Sequence, residues 1–219
     1  MNTGNIKEIL VRVIILLLGL TIAHLGVTLF LLADLGADPF NVLVQGVFKC
    51  IQKLTDSSLI THGRVHVAIS IIIILILLFT DKSYIRIGTL ICMCFGGPII
   101  DMFTVLLSPV FSTLVSLTAK IIINALGCCI LAFGMTIVIK SEAGTGPNDL
   151  VAVVISDKLH KKFSIVRIIV DFCFAGIGYL LGGTVGLGTI ICAFIVGPVA
   201  GVFMPFNEKW IRKTVKKIV

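Results

Sequence analysis

The chain has 219 residues, of which 58% are hydrophobic and 13% charged, and its mean hydropathy is +1.15. Ordinary soluble domains carry roughly 25% charged residues, so this composition excludes a soluble globular protein and points to an all-α integral membrane protein. The net charge of +7 does not imply a nucleic-acid partner, because an excess of Lys and Arg is expected on the cytoplasmic loops of a membrane protein.

A bilayer-spanning helix needs about 20 predominantly apolar residues. The first such run covers 10–32. It is too long for the apolar part of a signal peptide and no small-residue cleavage site follows it, so a retained helix is expected. Gly36-Ala37-Asp38-Pro39-Phe40-Asn41 then interrupts the pattern. A short helix is predicted from Pro39, since proline suits the first helical turn. Lys49 closes its apolar stretch after about ten residues, roughly 15 Å or half a bilayer. A polar loop around Lys53–Gly63 leads to apolar runs at 65–80 and 87–108.

The pattern then repeats. Runs at 115–139, 164–182 and 187–206 surround a second break, Gly144-Thr145-Gly146-Pro147-Asn148-Asp149, with a short helix from Pro147 to Lys158. Shifted by 108, Arg12–Leu43 matches Lys120–Val151, with identities at Gly19/Gly127, Gly26/Gly134, Gly36/Gly144 and Pro39/Pro147. Shifted by 100, Gly88–Phe103 matches Gly188–Phe203 at seven of sixteen positions. The expected architecture is two tandem homologous repeats, 1–110 and 111–207. Each has three long helices and one short helix after a Gly-Pro break, and a basic interfacial tail follows at 208–219. In that tail Trp210 and five cations suit an anionic membrane surface.

If each half crosses the membrane four times, the repeats are parallel and Lys plus Arg divide 15 to 3 between the two sides; with three crossings they are inverted and divide 14 to 4. The charge rule does not decide between these. The matching basic loops 49–64 and 158–167 favour four crossings, with both termini cytoplasmic.

Backbone that leaves the helix inside a bilayer is tolerated only where it is buried or lines a watery cavity. In transporters, breaks at matching positions of two halves tend to mark the solute site. Asp38, Asn41 and Gln45 share one face of the first short helix, and Asn148 and Asp149 begin the second. These five are the candidate contacts to a small polar solute. Asp38 can cap its helix by accepting backbone N–H bonds. The acids Asp34, Asp38, Glu142 and Asp149 disfavour a simple anion and suit a zwitterion or a cation-coupled solute. Embedded ionisable residues are functional candidates, which adds Asp101, Asp171 and His24 as coupling candidates. Asp171 lies four residues after Arg167, so an ion pair within one helix is the plainer expectation there. Asn124 is expected to join helices by hydrogen bonding.

Seven cysteines lie mostly within apolar runs, without metal-ligand spacing, and behave as small hydrophobes. No metal, cofactor or enzymatic motif is expected: there is no nucleophile elbow, HExxH or phosphate-binding loop.

The segment Leu35–Leu43 with Gln45-Gly46, together with Gly88-Thr89 leading to Gly97-Pro98-Ile99-Ile100-Asp101, resembles the YczE/YyaS/YitT group of bacterial integral membrane proteins. It is nearest to the short YczE-like branch that has no appended soluble domain. This chain departs from the group where a break tryptophan is replaced by Phe40 and Asn148, its aspartate by Asn41, and an asparagine by Cys92 and Cys192. The resemblance implies a multi-pass protein of the bacterial cytoplasmic membrane and leaves the substrate open. The expected partners are membrane lipid and a small polar solute, with room for a homo-oligomer. The functional expectation is a carrier or binder of that solute at the interface of the repeats. The alternative is a non-transporting regulator or subunit that docks a partner through the basic cytoplasmic face.

Overall fold

The computed structural model describes residues 3–55, 62–111 and 116–218, all helix and connecting loop, with no strand among them. Among the described residues eight α-helices follow one another: α1 (Thr3–Ala33), α2 (Pro39–Thr55), α3 (His62–Thr80), α4 (Ile87–Phe111), α5 (Leu117–Lys140), α6 (Pro147–Leu159), α7 (Phe163–Leu180) and α8 (Leu187–Ile218). The all-helical expectation is therefore met among the described residues. Five of them (α1, α4, α5, α7 and α8) are long and apolar enough to cross a membrane, and α3 adds a shorter apolar stretch, Arg64–Thr80. Residues 56–61 of the predicted polar loop lie outside the described residues.

Two boundaries differ from expectation. α2 continues past Lys49 to Thr55, because the residues after Lys49 remain good helix formers. The stretch 208–219 is no separate tail: α8 runs on to Ile218. Ile211 and Val215 are buried against Ile15 and Ile137, so this turn of α8 packs on protein and leaves only its other face, with Trp210, exposed.

Glycines set the central contact. A Cβ on Gly26 would lie 2.3 Å from the Leu131 amide nitrogen, and one on Gly134 would lie 2.2 Å from that of Ala23. α1 and α5 thus touch backbone to backbone, the approach that small residues permit. Gly19 faces Ile137 and Val138, while Gly26 faces Gly127 and Leu131. Ascending along α1 means descending along α5, so these helices are antiparallel. This overturns the parallel arrangement that the matching basic loops favoured. Those loops are alike in charge, but charge reports only the chemistry of a loop and not the direction of the helices beside it.

The remaining directions follow from similar pairs. α4 runs parallel to α1, with Gly88 against Leu16 and Gly96 against His24. α8 runs parallel to α5, with Gly188 against Asn124 and Asn207 Nδ2 donating to Thr136 Oγ1 at 2.7 Å. α7 is antiparallel to α8, with Ser164 beside Gly201 and Phe172 edge-on to Phe194.

Candidate functional site

Both breaks leave the long helix through a left-handed residue, Asp34 (φ 51) and Glu142 (φ 57), followed two residues later by Gly36 (φ +132) and Gly144 (φ +139). Positive φ favours glycine, and space demands it too. A Cβ on Gly36 would sit 2.8 Å from Gly186 Cα, and one on Gly144 would sit 2.5 Å from the Thr89 amide nitrogen. Each break is also tied to the start of a distant helix. The Gly188 N–H donates to the Leu35 carbonyl at 2.8 Å, and the Gly88 N–H donates to the Ala143 carbonyl at 2.8 Å.

The short helices begin differently. Asp38 caps α2 as expected, with its Oδ1 accepting from the Asn41 N–H at 3.2 Å and its Oδ2 accepting from Asn41 Nδ2 at 2.5 Å. The α6 cap is Gly146, without a side-chain cap bond. Asn148 does not cap; its Nδ2 donates to Asp149 Oδ1 at 3.2 Å.

Asp149 is held by a residue that periodicity alone did not place there. Arg167, 7% exposed at its side chain, donates from Nη1 to Asp149 Oδ1 at 2.5 Å and from Nε to Asp171 Oδ2 at 2.9 Å. The expected Arg167–Asp171 pair on α7 is present, and Arg167 additionally bridges α7 to the start of α6. The second oxygen, Asp171 Oδ1, is buried without a hydrogen-bond partner among the described residues. Asp149 and Asp38 both act electrostatically on Asp171, so acids from the two breaks share one buried field. Two carboxylates, Asp149 and Asp171, share one guanidinium there. Isolated buried charge is expensive, of the order of several kcal/mol per ion, so the cluster favours a proton or a cationic group. Among the described residues no three His, Cys, Asp or Glu side chains converge closely enough to hold a metal ion; the acids share a field and not one ligand point.

The other candidates are placed apart from this cluster or at its edge. His24 is partly buried, with Nδ1 2.7 Å from the Leu20 carbonyl and the ring beside Gly96; it feels the Asp149 charge. Gln45 does not join the acids: its Oε1 accepts from the Thr184 N–H at 2.6 Å in the α7–α8 loop. It lies seven residues, or roughly 10 Å, along the axis from Asp38. Asp101 is exposed on α4. Asn124 is fully buried, and its Nδ2 has no hydrogen-bond partner among the described residues.

A cavity of about 530 Å³ opens at the end of the bundle that carries both chain termini. Arg86, Lys140, Glu142, Thr145, Ser156 and Asp157 line it, and it reaches the second break at Gly144.

Residues 10–205 match the profile of a family described as a family of unknown function, DUF6198. An uncharacterized protein of Haemophilus influenzae is 30% identical over 87% of this chain and 82% of its own length. The uncharacterized protein YyaS of Bacillus subtilis is 26% identical over 88% of this chain and 92% of its own. The uncharacterized membrane protein YczE of the same organism is 26% identical over 91% of this chain and 88% of its own. No solved structure matches.

Proposed function

The chain belongs to the DUF6198 family, a YczE/YyaS-like group of membrane proteins, and from that premise we propose that it carries a small cationic or zwitterionic solute across the bacterial cytoplasmic membrane. The observation that carries this reading is the Arg167 bridge. Asp149 of the second break and Asp171 share the buried Arg167, Asp171 keeps an oxygen without a hydrogen-bond partner among the described residues, and the charge of Asp38 at the first break acts on Asp171.

The halves are inverted repeats, each with three crossings and one re-entrant short helix. Repeat mates making matching bonds support this: Leu35/Ala143 accept from Gly188/Gly88. Antiparallel α1 and α5, themselves mates, also fit inversion and not the parallel case. In this topology both termini lie on the side that holds fourteen of the eighteen Lys and Arg residues, the cytoplasmic side by the charge rule. The 530 Å³ cavity is then a cytoplasmic vestibule that reaches the second break at Gly144, Thr145 and Leu150. Asp38, Asn41, Asn148 and Asp149 contact the solute, and Asp171 accepts a coupling proton or cation. Matching breaks facing a common mid-membrane site are the arrangement of many secondary carriers.

Uptake by reconstituted vesicles tests the reading, with a panel of amino acids, amines, quaternary ammonium compounds and inorganic anions. Flux of a cationic or zwitterionic member that D38A/D149A abolishes supports it. Equal flux in native and variant vesicles for every solute would instead favour a regulator that docks through the basic end of α8.

A further inference from the structure

The two halves agree in sequence but differ at one seam. On one side α7 lies against α8. A Cβ on Gly197 would meet the Ser164 carbonyl at 2.6 Å and Ile168 Cγ1 at 2.8 Å, and one on Gly201 would sit 3.0 Å from Ser164 Cβ. Phe172 stacks edge-on against Phe194 with ring centroids 5.1 Å apart. Shifted by 100 residues, the same places on α3 and α4 hold Arg64, Ala68, Ile72, Cys94, Gly97 and Asp101. Here the contact is missing: among the described residues nothing lies within 4 Å of a Cβ on Gly97. Ile72 is 54% exposed, and Cys94 and Asp101 are exposed as well.

Two physical facts make this an unsatisfied seam. A glycine inside a helix is unfavourable relative to alanine, and Gly97 makes no close approach among the described residues in return. A carboxylate on the apolar face of a membrane helix is costly, and Asp101 is carried on such a face, beside exposed Met102, Val105 and Leu106. The residue that the sequence shift sets opposite Asp101, as Ser164 is set opposite Gly201, is Arg64. The small residue set opposite Gly97 is Ala68.

We propose that the α3–α4 seam closes in a second conformation, bringing Arg64 to Asp101 and Ala68 to Gly97, while the α7–α8 seam opens. The inference rests on the inverted-repeat reading and supplies the motion that a carrier requires: each half takes in turn the packing now seen in the other. A protein with two such conformations populates the minor one at roughly 0.1–10%.

The experiment is cysteine cross-linking in vesicles, on the full chain with its seven cysteines replaced by alanine. R64C/D101C reads closure of the first seam, and S164C/G201C reads the packing already present. A protease site inserted between α3 and α4, or between α7 and α8, separates linked from unlinked chains on a gel. The expected result is that R64C/D101C links progressively as the minor state is trapped, and that locking S164C/G201C first suppresses this. Complete S164C/G201C linking with no R64C/D101C product at any time overturns the proposal. The chain with its native cysteines gives an independent reading through p-benzoylphenylalanine at Ile72. An intramolecular adduct to α4 around Cys94 supports closure. Adducts to lipid alone, or to a second copy of the chain, overturn it. Cross-linking without solute flux would sink the carrier reading and leave the motion standing; flux without cross-linking would do the reverse.

Discussion

Arg167 reaches back 18 residues to Asp149, Nη1 to Oδ1 at 2.5 Å, and so fastens the start of α6 to α7. The same guanidinium holds Asp171 one turn further along. Removing the cation leaves buried carboxylates uncompensated, which costs about 3–5 kcal/mol. R167A should therefore lower the thermal midpoint in detergent steeply. R167K should recover only part of the loss, because a lysine point charge cannot make two directed bonds. R167A/D149N/D171N should recover more than R167K, since it also removes the stranded negative charge. If R167A unfolds at the native temperature, the cluster does not hold α6 to α7.

Asp171 separates an anchoring role from a coupling role. Its Oδ2 serves Arg167 while Oδ1 is left over. D171N keeps the shape and an acceptor for Arg167 but removes one negative charge. If Asp171 carries the coupling ion, D171N should bind solute and exchange it at equilibrium, yet lose accumulation driven by a proton or sodium gradient. Equal loss of exchange and gradient-driven uptake would assign Asp171 to anchoring alone.

The two break glycines can be set against an unconstrained one. G36A and G144A each place a side chain at positive φ, a strain of roughly 1–3 kcal/mol, and also drive a Cβ into the backbone of Gly186 or Thr89. Both should lower the thermal midpoint by several degrees. Gly176 is helical and exposed, with nothing within 4 Å of its Cβ direction. G176A should raise the midpoint slightly, by the helix-propensity gain of up to about 1 kcal/mol. Similar behaviour of all three would show that the breaks are not close-packed.

Local features of this architecture were legible in the sequence, and directions were not. Pro39 and Pro147 mark the starts of α2 and α6 because proline fixes φ and lacks the N–H that the first turn leaves free. Asp38 reads as a cap for equally local reasons. The sense of α1 against α5 depends on how the chain returns through the membrane between them, and three or four crossings distribute the cations almost identically. Gln45 shows a second limit. Helical periodicity puts it on the face of Asp38 and Asn41, but a face is a stripe running the length of the helix, and Gln45 sits far enough along it to meet Thr184 instead. Arg167 could be paired with Asp171 from their spacing of four; its bond to Asp149 needs the α6–α7 turn, which folds two elements back on each other.

Lys53 and Lys158 offer a direct check on the inverted arrangement. Lys53 lies in the last turn of α2, and α2 runs toward the end of the bundle where Lys49 Nζ donates to the Gly182 carbonyl at 3.0 Å. Lys158 lies in the last turn of α6, within 3.9 Å of Asp81, at the end where Lys140 Nζ meets Glu208 Oε2 at 2.7 Å. The two short helices therefore point to opposite faces, whereas four crossings per half would put both lysines on the same side. In a cysteine-free chain, K53C should react with a membrane-impermeant maleimide applied to intact cells, and K158C should react only after the cells are opened. Cations at positions 209–217 sit on the Lys158 side, so K213C should follow K158C. If K53C and K158C label together from either side, the re-entrant reading of α2 and α6 fails, and with it the shared buried site between the two breaks.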